Sequence, residues 1–438
     1  MSKIIHITHN DADGVGCAVI FKLYNKYVLN NKYNDVITLH TSNHGIQDEV
    51  VSVFEDYSDI SELIISDISP AKDTPSYNIL MDIYNGKKDV KVTLIDHHLT
   101  NPFKDMESTD NFSINVYTSK YSLIASNRFM DNCKSQLQHY KTNYDTLVDK
   151  LIEKKLNDEA TEDLIRYIID RYFGDDISAT FIMYVYYLSL YGKLTTIHPN
   201  LPKVITDFVY SISRYDTWEW CKHPIAYIED IITNAIKYNT VEIVSDTLYY
   251  TFSDLVNNTA GKINETLEPA SYIQFLPDEY TAIEHVANSS MEKYMSHIDT
   301  KLKVSSSGEY LYGIIANDNS VNMSVVSERI EKLYPNIFDY IVILYSESKT
   351  ISFRTARDTV DVSRIAQRCY GGGGHRKAAG AMVDISTFVS FLTEYWISDS
   401  IGYIIYDLDC SDDLSKLTSK LVYDKIKHDL SEEGISNE

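Results

Sequence analysis

The sequence has no apolar run that approaches the roughly 20 residues a helix needs to cross a bilayer, and it is poor in cysteine. Its first residues lack the long apolar stretch and small-residue cleavage site of a signal peptide. We therefore expect a cytoplasmic protein without a membrane span. No two cysteines form a C-x-x-C pair, which argues against a disulfide framework or a zinc knuckle. The five are Cys17, Cys133, Cys221, Cys369 and Cys410.

Positive charge is also scarce. The 438 residues include 40 Lys and Arg against 63 Asp and Glu, so the formal net charge is -23. Tight binding of a long nucleic acid usually needs a basic surface that neutralises many phosphates. A phosphate-bearing substrate should therefore be small, or be met by local cations. The alternative is that the charge serves solubility alone.

The N-terminal region alternates short apolar runs with a longer amphipathic one. This alternation predicts an α/β fold with a doubly wound, mostly parallel sheet. The predicted strands are Lys3–Thr8, Val36–Thr41, Leu63–Asp67 and Val90–Asp96, and the first predicted helix is Gly14–Leu29. In such sheets, ligands bind beyond the carboxyl ends of the strands.

The sequence as a whole suggests four regions. The predicted divisions are a first α/β domain over residues 1–225 with a helical insertion at 101–173, a helical linker at 226–305, a smaller α/β domain at 306–400 and an extension at 401–438. In the smaller domain we predict strands Leu311–Ala316, Asp339–Ser346 and Thr350–Thr355, and helices Val321–Leu333 and Val362–Cys369. Spaced leucines in the extension predict an amphipathic helix for packing or assembly, which leaves a homodimer open.

Polar clusters follow three of the predicted N-terminal strands. The first is His9–Gly14 (HNDADG), in which two carboxylates two positions apart point to the same side of extended backbone. The second is Asp67, at the end of an apolar run. Taken singly, each has a structural alternative, since Asp11 and Gly14 suit a turn and Asp67 suits a helix N-cap.

The third cluster is Asp96-His97-His98, after the fourth predicted strand. Adjacent histidines on extended backbone face opposite sides, so one can bind a metal ion while the other reaches a phosphate. An isolated histidine pair would more often be a surface or core feature. Three acidic strand ends in one sheet instead favour a metal site built from oxygen and imidazole ligands.

A second unusual segment is Gly371-Gly372-Gly373-Gly374-His375. It is followed by Lys377-Ala378-Ala379-Gly380, and upstream of it lies Ser352-Phe353-Arg354-Thr355. Glycine weakens helices and strands, so a run of four is difficult to explain by secondary structure. Close approach of the backbone to a phosphate is the physical use that we expect for it.

These motifs, in this order and spacing, resemble the DHH phosphoesterase superfamily. HNDADG, SDISP and IDHH match its first three motifs, Asp216 in RYDTW fits the fourth, and the glycine run resembles the DHH-associated C-terminal domain. Within the superfamily, the chain is most similar to the type B nanoRNases, a branch of oligoribonucleases. The resemblance covers most of Ile4–His98, Asp175–Cys221 and about Leu311–Asp384.

The resemblance implies two Mn²⁺ ions, with Mg²⁺ as the alternative, and a water molecule as the nucleophile. One ion would be held by His9, Asp11 and Asp67, and the other by Asp13, Asp67, His97 and Asp216. It further implies that His98 contacts the scissile phosphate and that Asp96 orients a ligand histidine. The substrate would also be held by Arg354, Gly372, Gly373, Gly374 and His375.

The resemblance therefore implies hydrolysis of short RNA, of about two to five nucleotides, because a cleft closed by a small domain admits little polymer. The enzymatic alternative is a cyclic or linear dinucleotide phosphodiesterase or a pAp phosphatase. The non-enzymatic alternative is an inactive phosphate-binding scaffold. Trp218 and Trp220 could stack a base, although an aromatic residue beside a strand end is more often core.

Overall fold

The computed structural model describes residues 3–27, 29, 36–119, 122–123, 176–191, 201–218, 227–258, 278–308 and 310–407. The chain divides into two compact units, Met1–Thr281 and Ala282–Glu438. Most of the predicted insertion, and the leucine-bearing extension from residue 408, lie outside the described residues. The finer four-part division stays a prediction. Among the described helices, none is long and apolar enough to cross a membrane.

The first unit contains a five-stranded, fully parallel sheet, which confirms the predicted α/β class. Its strands are β1 Lys3–His9, β2 Val36–Thr41, β3 Ile60–Ser66, β4 Lys91–Asp96 and β5 Phe112–Val116, in the order β2-β1-β3-β4-β5. The last strand falls inside the range predicted as a helical insertion. Its Phe112 is fully buried, and this gives the strand a place in the core.

Helices cover both faces of this sheet. The helices of the first unit are α1 Ala12–Tyr27, α2 Ile46–Asp56, α3 Pro75–Tyr84, α4 Ala179–Tyr191, α5 Leu201–Asp216, α6 Tyr227–Tyr238 and α7 Val241–Asn258. Ile5 and Ile7 of β1 pack with apolar side chains of α2 and α3, such as Val50 and Leu80. The other face carries α1, which is buried on nearly all sides because α4 and α7 pack over it.

The chain passes into the second unit within α8 (Asp278–Met295), which is followed by the short α9 (Ile298–Lys301). A six-stranded mixed sheet follows, in the order β10-β11-β9-β8-β7-β6, with only β7 and β8 parallel among these pairs. Its strands are β6 Lys303–Ser307, β7 Tyr310–Ala316, β8 Tyr340–Tyr345, β9 Thr350–Arg354, β10 Gly373–Gly374 and β11 Ala378–Met382.

The helices of this unit are α10 Met323–Leu333, α11 Val362–Tyr370, α12 Ile385–Ile397 and α13 Ile401–Asp407. Both helices predicted here are present, and both begin at a polar cap. Asn322 accepts a hydrogen bond from the backbone of Ser324, and Asp361 accepts one from Arg364. The sequence prediction missed β6, β10, β11, α12 and α13. Helix α12 buries Phe388 against the sheet and packs Phe391 and Leu392 beside it, at helical spacing.

Candidate metal centre

The three polar clusters of the first unit meet at one edge of its sheet. His9 ends β1, Asp67 follows β3, and Asp96 ends β4 immediately before His97. They converge because β1, β3 and β4 are neighbouring parallel strands whose carboxyl ends lie at the same edge. Asp216 ends α5 and reaches the same place.

The first group of close side chains is His9, Asp11 and Asp67. The Nδ1 atom of His9 lies 2.6 Å from Oδ2 of Asp11 and 3.7 Å from Oδ2 of Asp67. One ligand atom from each of the three lies within 4.8 Å of the others. This spacing is compact enough for a single ion to contact all three.

The second group surrounds the imidazole of His97. Its Nε2 atom lies 3.0 Å from Oδ1 of Asp67 and 3.6 Å from Oδ2 of Asp13, whereas its Nδ1 atom lies 3.7 Å from Oδ2 of Asp216. The structure thus brings together the residues of the second implied ligand set. Asp216 lies beside Nδ1 of His97, whereas Asp67 and Asp13 lie beside Nε2, on the other side of the ring.

Asp67 belongs to both groups. Its Oδ2 atom faces His9, and its Oδ1 atom faces His97. Its backbone has φ of 59°, in the left-handed region that aspartate enters more readily than most residues. The backbone N–H of Asp67 donates to the carbonyl of Ile95 at 2.9 Å, so this conformation is anchored to the neighbouring strand. Asp67 is placed as a bridging carboxylate would be.

Burial and mutual repulsion disfavour the ionised forms of Asp13 and Asp67. Asp13 is 1% exposed and Asp67 is 2% exposed. Burial, together with the charges of Asp216 and Asp11, raises the pKa of Asp13 to about 7. Burial and the charges of Asp13 and Asp11 raise the pKa of Asp67 well above its ordinary value. For Asp11, burial acts in the same direction, but the adjacent His9 outweighs it and the pKa falls.

The donor set fits divalent cations. The Oδ2 atom of Asp67 is buried and accepts no hydrogen bond from any residue that the structure describes. A buried carboxylate oxygen without a donor is costly, and a cation would compensate it. Carboxylate and imidazole ligands without a nearby thiolate ligand are suited to Mn²⁺ or Mg²⁺. The one cysteine close by among the described residues, Cys17, is buried, and burial raises its thiol pKa, so it stays protonated.

Asp13 is held by a helix that the sequence prediction did not connect with the site. The backbone N–H of Ala179 donates to Oδ2 of Asp13 at 2.7 Å, and that of Thr180 donates to Oδ1 at 2.9 Å. The Thr180 hydroxyl also donates to the backbone carbonyl of Asp13 at 2.7 Å. The N-terminus of α4 therefore stabilises the carboxylate, since its free N–H groups and helix dipole favour negative charge.

Two glycines of α1 make this arrangement possible. A Cβ atom at Gly14 would lie 2.1 Å from the carbonyl oxygen of His9, and one at Gly16 would lie 2.2 Å from the Thr180 hydroxyl. The backbone N–H of Gly14 also donates to Oδ1 of Asp11 at 3.0 Å. Asp11 thus serves as a turn former and as a member of the first group at once.

Asp96 contacts both histidines that follow it. It is fully buried, and its Oδ1 atom accepts hydrogen bonds from the backbone N–H of His97 at 2.8 Å and from Nδ1 of His98 at 2.7 Å. Its Oδ2 atom accepts one from Asn101 at 2.6 Å. Burial alone would raise the pKa of Asp96, but His98, His97 and Asn101 together lower it. Asp96 therefore holds the ring of His98 and only the backbone of His97.

The second unit places Arg354 beside the turn that carries His375. Arg354 ends β9 and pairs in register with Ala378, and the N–H of His375 donates to the carbonyl of that alanine at 2.7 Å. The Arg354 guanidinium donates to the carbonyl of Phe353 at 2.9 Å. Asp358, a conceivable ion-pair partner of Arg354, forms an ion pair with Lys377 at 3.2 Å.

The fold itself explains most of the glycine run, contrary to the expectation from sequence. Gly371 has φ of 68° and ends α11 as a left-handed C-cap. A Cβ atom at Gly372 would lie 2.1 Å from the carbonyl oxygen of Gly380, and Gly374 has φ of 132° in the hairpin. The end of α11 and the hairpin together therefore account for three of the four glycines, and phosphate contact stays a prediction.

The structure does not support base stacking by Trp218. This side chain is 1% exposed and belongs to the core, so its ring is not accessible to a base. Trp220 lies outside the described residues.

Comparison with known proteins agrees with the motifs. No family model matches the chain. The chain is 22% identical over 398 residues to the oligoribonuclease NrnB of Bacillus subtilis, covering 90% of this chain and 76% of that protein. Together with the motifs, this similarity confirms the resemblance to DHH phosphoesterases and the assignment as a phosphoester hydrolase.

Two solved structures overlap at low similarity. RecJ of Thermus thermophilus in complex with Mn²⁺ has a TM-score of 0.44 at 12% identity, over 91% of this chain and 53% of RecJ. The DHH domain of a protein described as a member of a ribosomal protein family has a TM-score of 0.45 at 12% identity, over 91% of this chain and 88% of that domain. Similarities at this level carry no argument about chemistry.

Proposed function

Because this chain is a phosphoester hydrolase of the DHH type, we propose that it hydrolyses short oligoribonucleotides to mononucleotides with two Mn²⁺ ions. The observation that carries this proposal is the placement of Asp67, whose two oxygens face separate ligand groups. A single-ion site or an inactive scaffold has no chemical use for a buried carboxylate between two such groups.

In this proposal His9, Asp11 and Asp67 would hold one ion. Asp13, Asp67 and His97 would hold the other, with Asp216 as the further ligand that the resemblance implies. When bound, such an ion pair acidifies a water nucleophile and neutralises charge on the phosphate. The N–H groups at the start of α4 hold Asp13 in place and favour its ionised form, against burial and the charges of Asp216 and Asp11.

His98 is the residue best placed to meet the substrate. Its side chain is 36% exposed, whereas that of His97 is 1% exposed. Its Nδ1 atom is held by Asp96, so the orientation of the ring is set before a substrate arrives. We assign His98 to contact with the scissile phosphate, and Asp96 to orientation of the His98 ring.

Two observations support a short substrate. The net charge of -23 opposes binding of a long polyanion, because each additional phosphate adds repulsion that few local cations offset. The similar protein from Bacillus subtilis is named as an oligoribonuclease. We propose that substrates of about two to five nucleotides are preferred.

The proposal is tested with labelled RNA and DNA of two to thirty nucleotides, pAp, and cyclic dinucleotides, each incubated with Mn²⁺. We expect mononucleotide release to be fastest from the shortest RNAs and to fall as length increases. Preferential hydrolysis of pAp or of a cyclic dinucleotide would show that this molecule, and not RNA, is the substrate of the site. Absence of hydrolysis of every substrate would support the scaffold alternative and contradict the proposal.

Removal of Arg354 should weaken substrate capture without changing metal content. A charge-assisted contact to phosphate contributes roughly 1.5–3 kcal/mol, so Arg354→Ala should lower kcat/KM by about one to two decades. The loss should be largest for dinucleotides, which have few other phosphates to hold. Kinetics on di-, tri- and pentanucleotides, with metal analysis alongside, measure this effect.

Arg329→Ala is the matched control for Arg354→Ala. Arg329 lies in the same unit and forms an ion pair with the exposed Glu292, and such pairs contribute little. Its removal should leave kcat/KM unchanged. Equal kcat/KM values for Arg354→Ala and Arg329→Ala would show that Arg354 has only a structural role.

A further inference from the structure

Three polar side chains lie buried in the core beneath the metal centre. His6 and Thr8 are in β1, Ser66 is at the end of β3, and all three are fully buried. The ring of His6 packs edge-on against Phe21 with the centroids 5.3 Å apart. Buried polar groups are costly unless they are hydrogen-bonded, so their partners matter.

The three side chains form one continuous hydrogen-bonded chain. Nε2 of His6 lies 2.8 Å from the Ser66 hydroxyl, which donates to the Thr8 hydroxyl at 2.9 Å. The Thr8 hydroxyl then donates to the backbone carbonyl of Gly14 at 3.0 Å.

The direction of this chain is determined from its far end. The carbonyl of Gly14 can only accept, so Thr8 uses its single hydroxyl proton there and must accept from Ser66. Ser66 has then used its own proton, so it must accept from His6. The imidazole therefore carries its proton on Nε2. Its buried Nδ1 atom has no hydrogen-bond partner among the described residues, which disfavours the doubly protonated ring.

The chain joins the segments that carry the ligands. Ser66 immediately precedes Asp67, and Thr8 immediately precedes His9. The accepting carbonyl belongs to Gly14, directly after Asp13. One buried network thus connects the bridging carboxylate to both sides of the HNDADG turn.

We propose that His6, Ser66 and Thr8 are positioning residues that set the spacing between Asp67 and the Asp11–Asp13 turn, and thereby the affinity of the centre for metal ions. This inference rests on the ligand assignment of the proposed function. Supporting groups of this kind typically change metal affinity by roughly 10–100-fold when they are removed.

Thr8 allows the sharpest test, because valine has nearly its shape and lacks the hydroxyl, while serine retains it. We expect Thr8→Val to weaken Mn²⁺ binding by about tenfold or more and Thr8→Ser to stay close to wild type. Mn²⁺ affinity is measured by calorimetry and by the electron paramagnetic resonance of bound and free ion. The melting temperature of the metal-free protein is measured on the same samples.

Ser76→Ala is the matched control. Ser76 is also fully buried in the first unit, but it belongs to α3 and accepts a hydrogen bond from the backbone of Val50 in α2. The Ser76→Ala substitution should lower the melting temperature without changing Mn²⁺ affinity. If Thr8→Val behaved in the same way, the network would be only structural and the inference would be overturned.

A second measurement does not depend on metal. The ¹⁵N chemical shifts of His6 should report the Nε2-protonated tautomer, in wild type and in Ser76→Ala. The Nδ1-protonated tautomer in wild type would contradict the hydrogen-bond direction on which the inference rests. Wild-type protein that binds Mn²⁺ but hydrolyses no RNA would overturn the proposed function and leave this inference intact.

Discussion

Asp67→Asn is expected to reduce turnover by orders of magnitude while the metal-free protein remains at least as stable as wild type. The substitution removes the carboxylate that faces both ligand groups, so neither ion would be held as before. It also removes a buried carboxyl group whose ionisation is opposed by burial and by the charges of Asp13 and Asp11. The amide fits the same space, since it can pair with Nε2 of His97 through its oxygen or its N–H in either tautomer of the ring.

The measurement pairs steady-state hydrolysis of a dinucleotide with thermal unfolding in the absence of metal. Asp13→Asn provides the contrast. Both oxygens of Asp13 accept backbone N–H groups of α4, so an amide nitrogen would face a donor at either position. That variant should lose activity and stability together. An Asp67→Asn enzyme with the wild-type rate would show that the ligand assignment is wrong.

The same carboxylates predict the pH dependence of the metal-free protein. The pKa of Asp13 is about 7 when folded, against 3.8 as its reference value, so the folded state binds this proton more readily. Its contribution to stability therefore rises as pH falls from above 7 and is complete below about 3.8. Asp67 acts in the same direction. His6 acts oppositely, since burial lowers its pKa to about 3 and stability is lost below 6.5.

Removal of metal ions is expected to abolish hydrolysis, and Mn²⁺ should restore it better than Mg²⁺. Imidazole ligands such as His9 and His97 favour the softer ion. Bound metal should also stabilise the fold, by about 2.7 kcal/mol for one site at a free concentration 100 times its dissociation constant. The gain should be larger at pH 8 than at pH 6, because carboxylates must be ionised to bind.

Activity is followed during titration with EDTA and then with each metal, and the melting temperature is followed in parallel. A non-chelating buffer of equal ionic strength is the control. Undiminished hydrolysis in excess EDTA would contradict the two-metal proposal.

Much of the fold was accessible from sequence because its strands are short apolar runs that end at polar residues. Strands β1, β2 and β4 lie close to their predicted ranges, and parallel strands explain why His9, Asp67 and His97 meet. Helix α12 escaped prediction because its exposed face is also apolar, with Ile385, Val389 and Trp396 at least half exposed. That distribution blurs the helical periodicity.

The sequence by itself determined the residue types of the candidate metal ligands, their order along the chain and the sheet edge at which three of the clusters meet. These follow from residue type and from the common direction of parallel strands. Only the tertiary structure decided what holds the ligands in place. The α4 N–H groups that bind Asp13 lie 166 and 167 positions away, and the Ser66 hydroxyl lies 58 positions from Thr8. Such contacts leave no periodic trace in the sequence, because each depends on the packing of separate elements rather than on neighbouring residues.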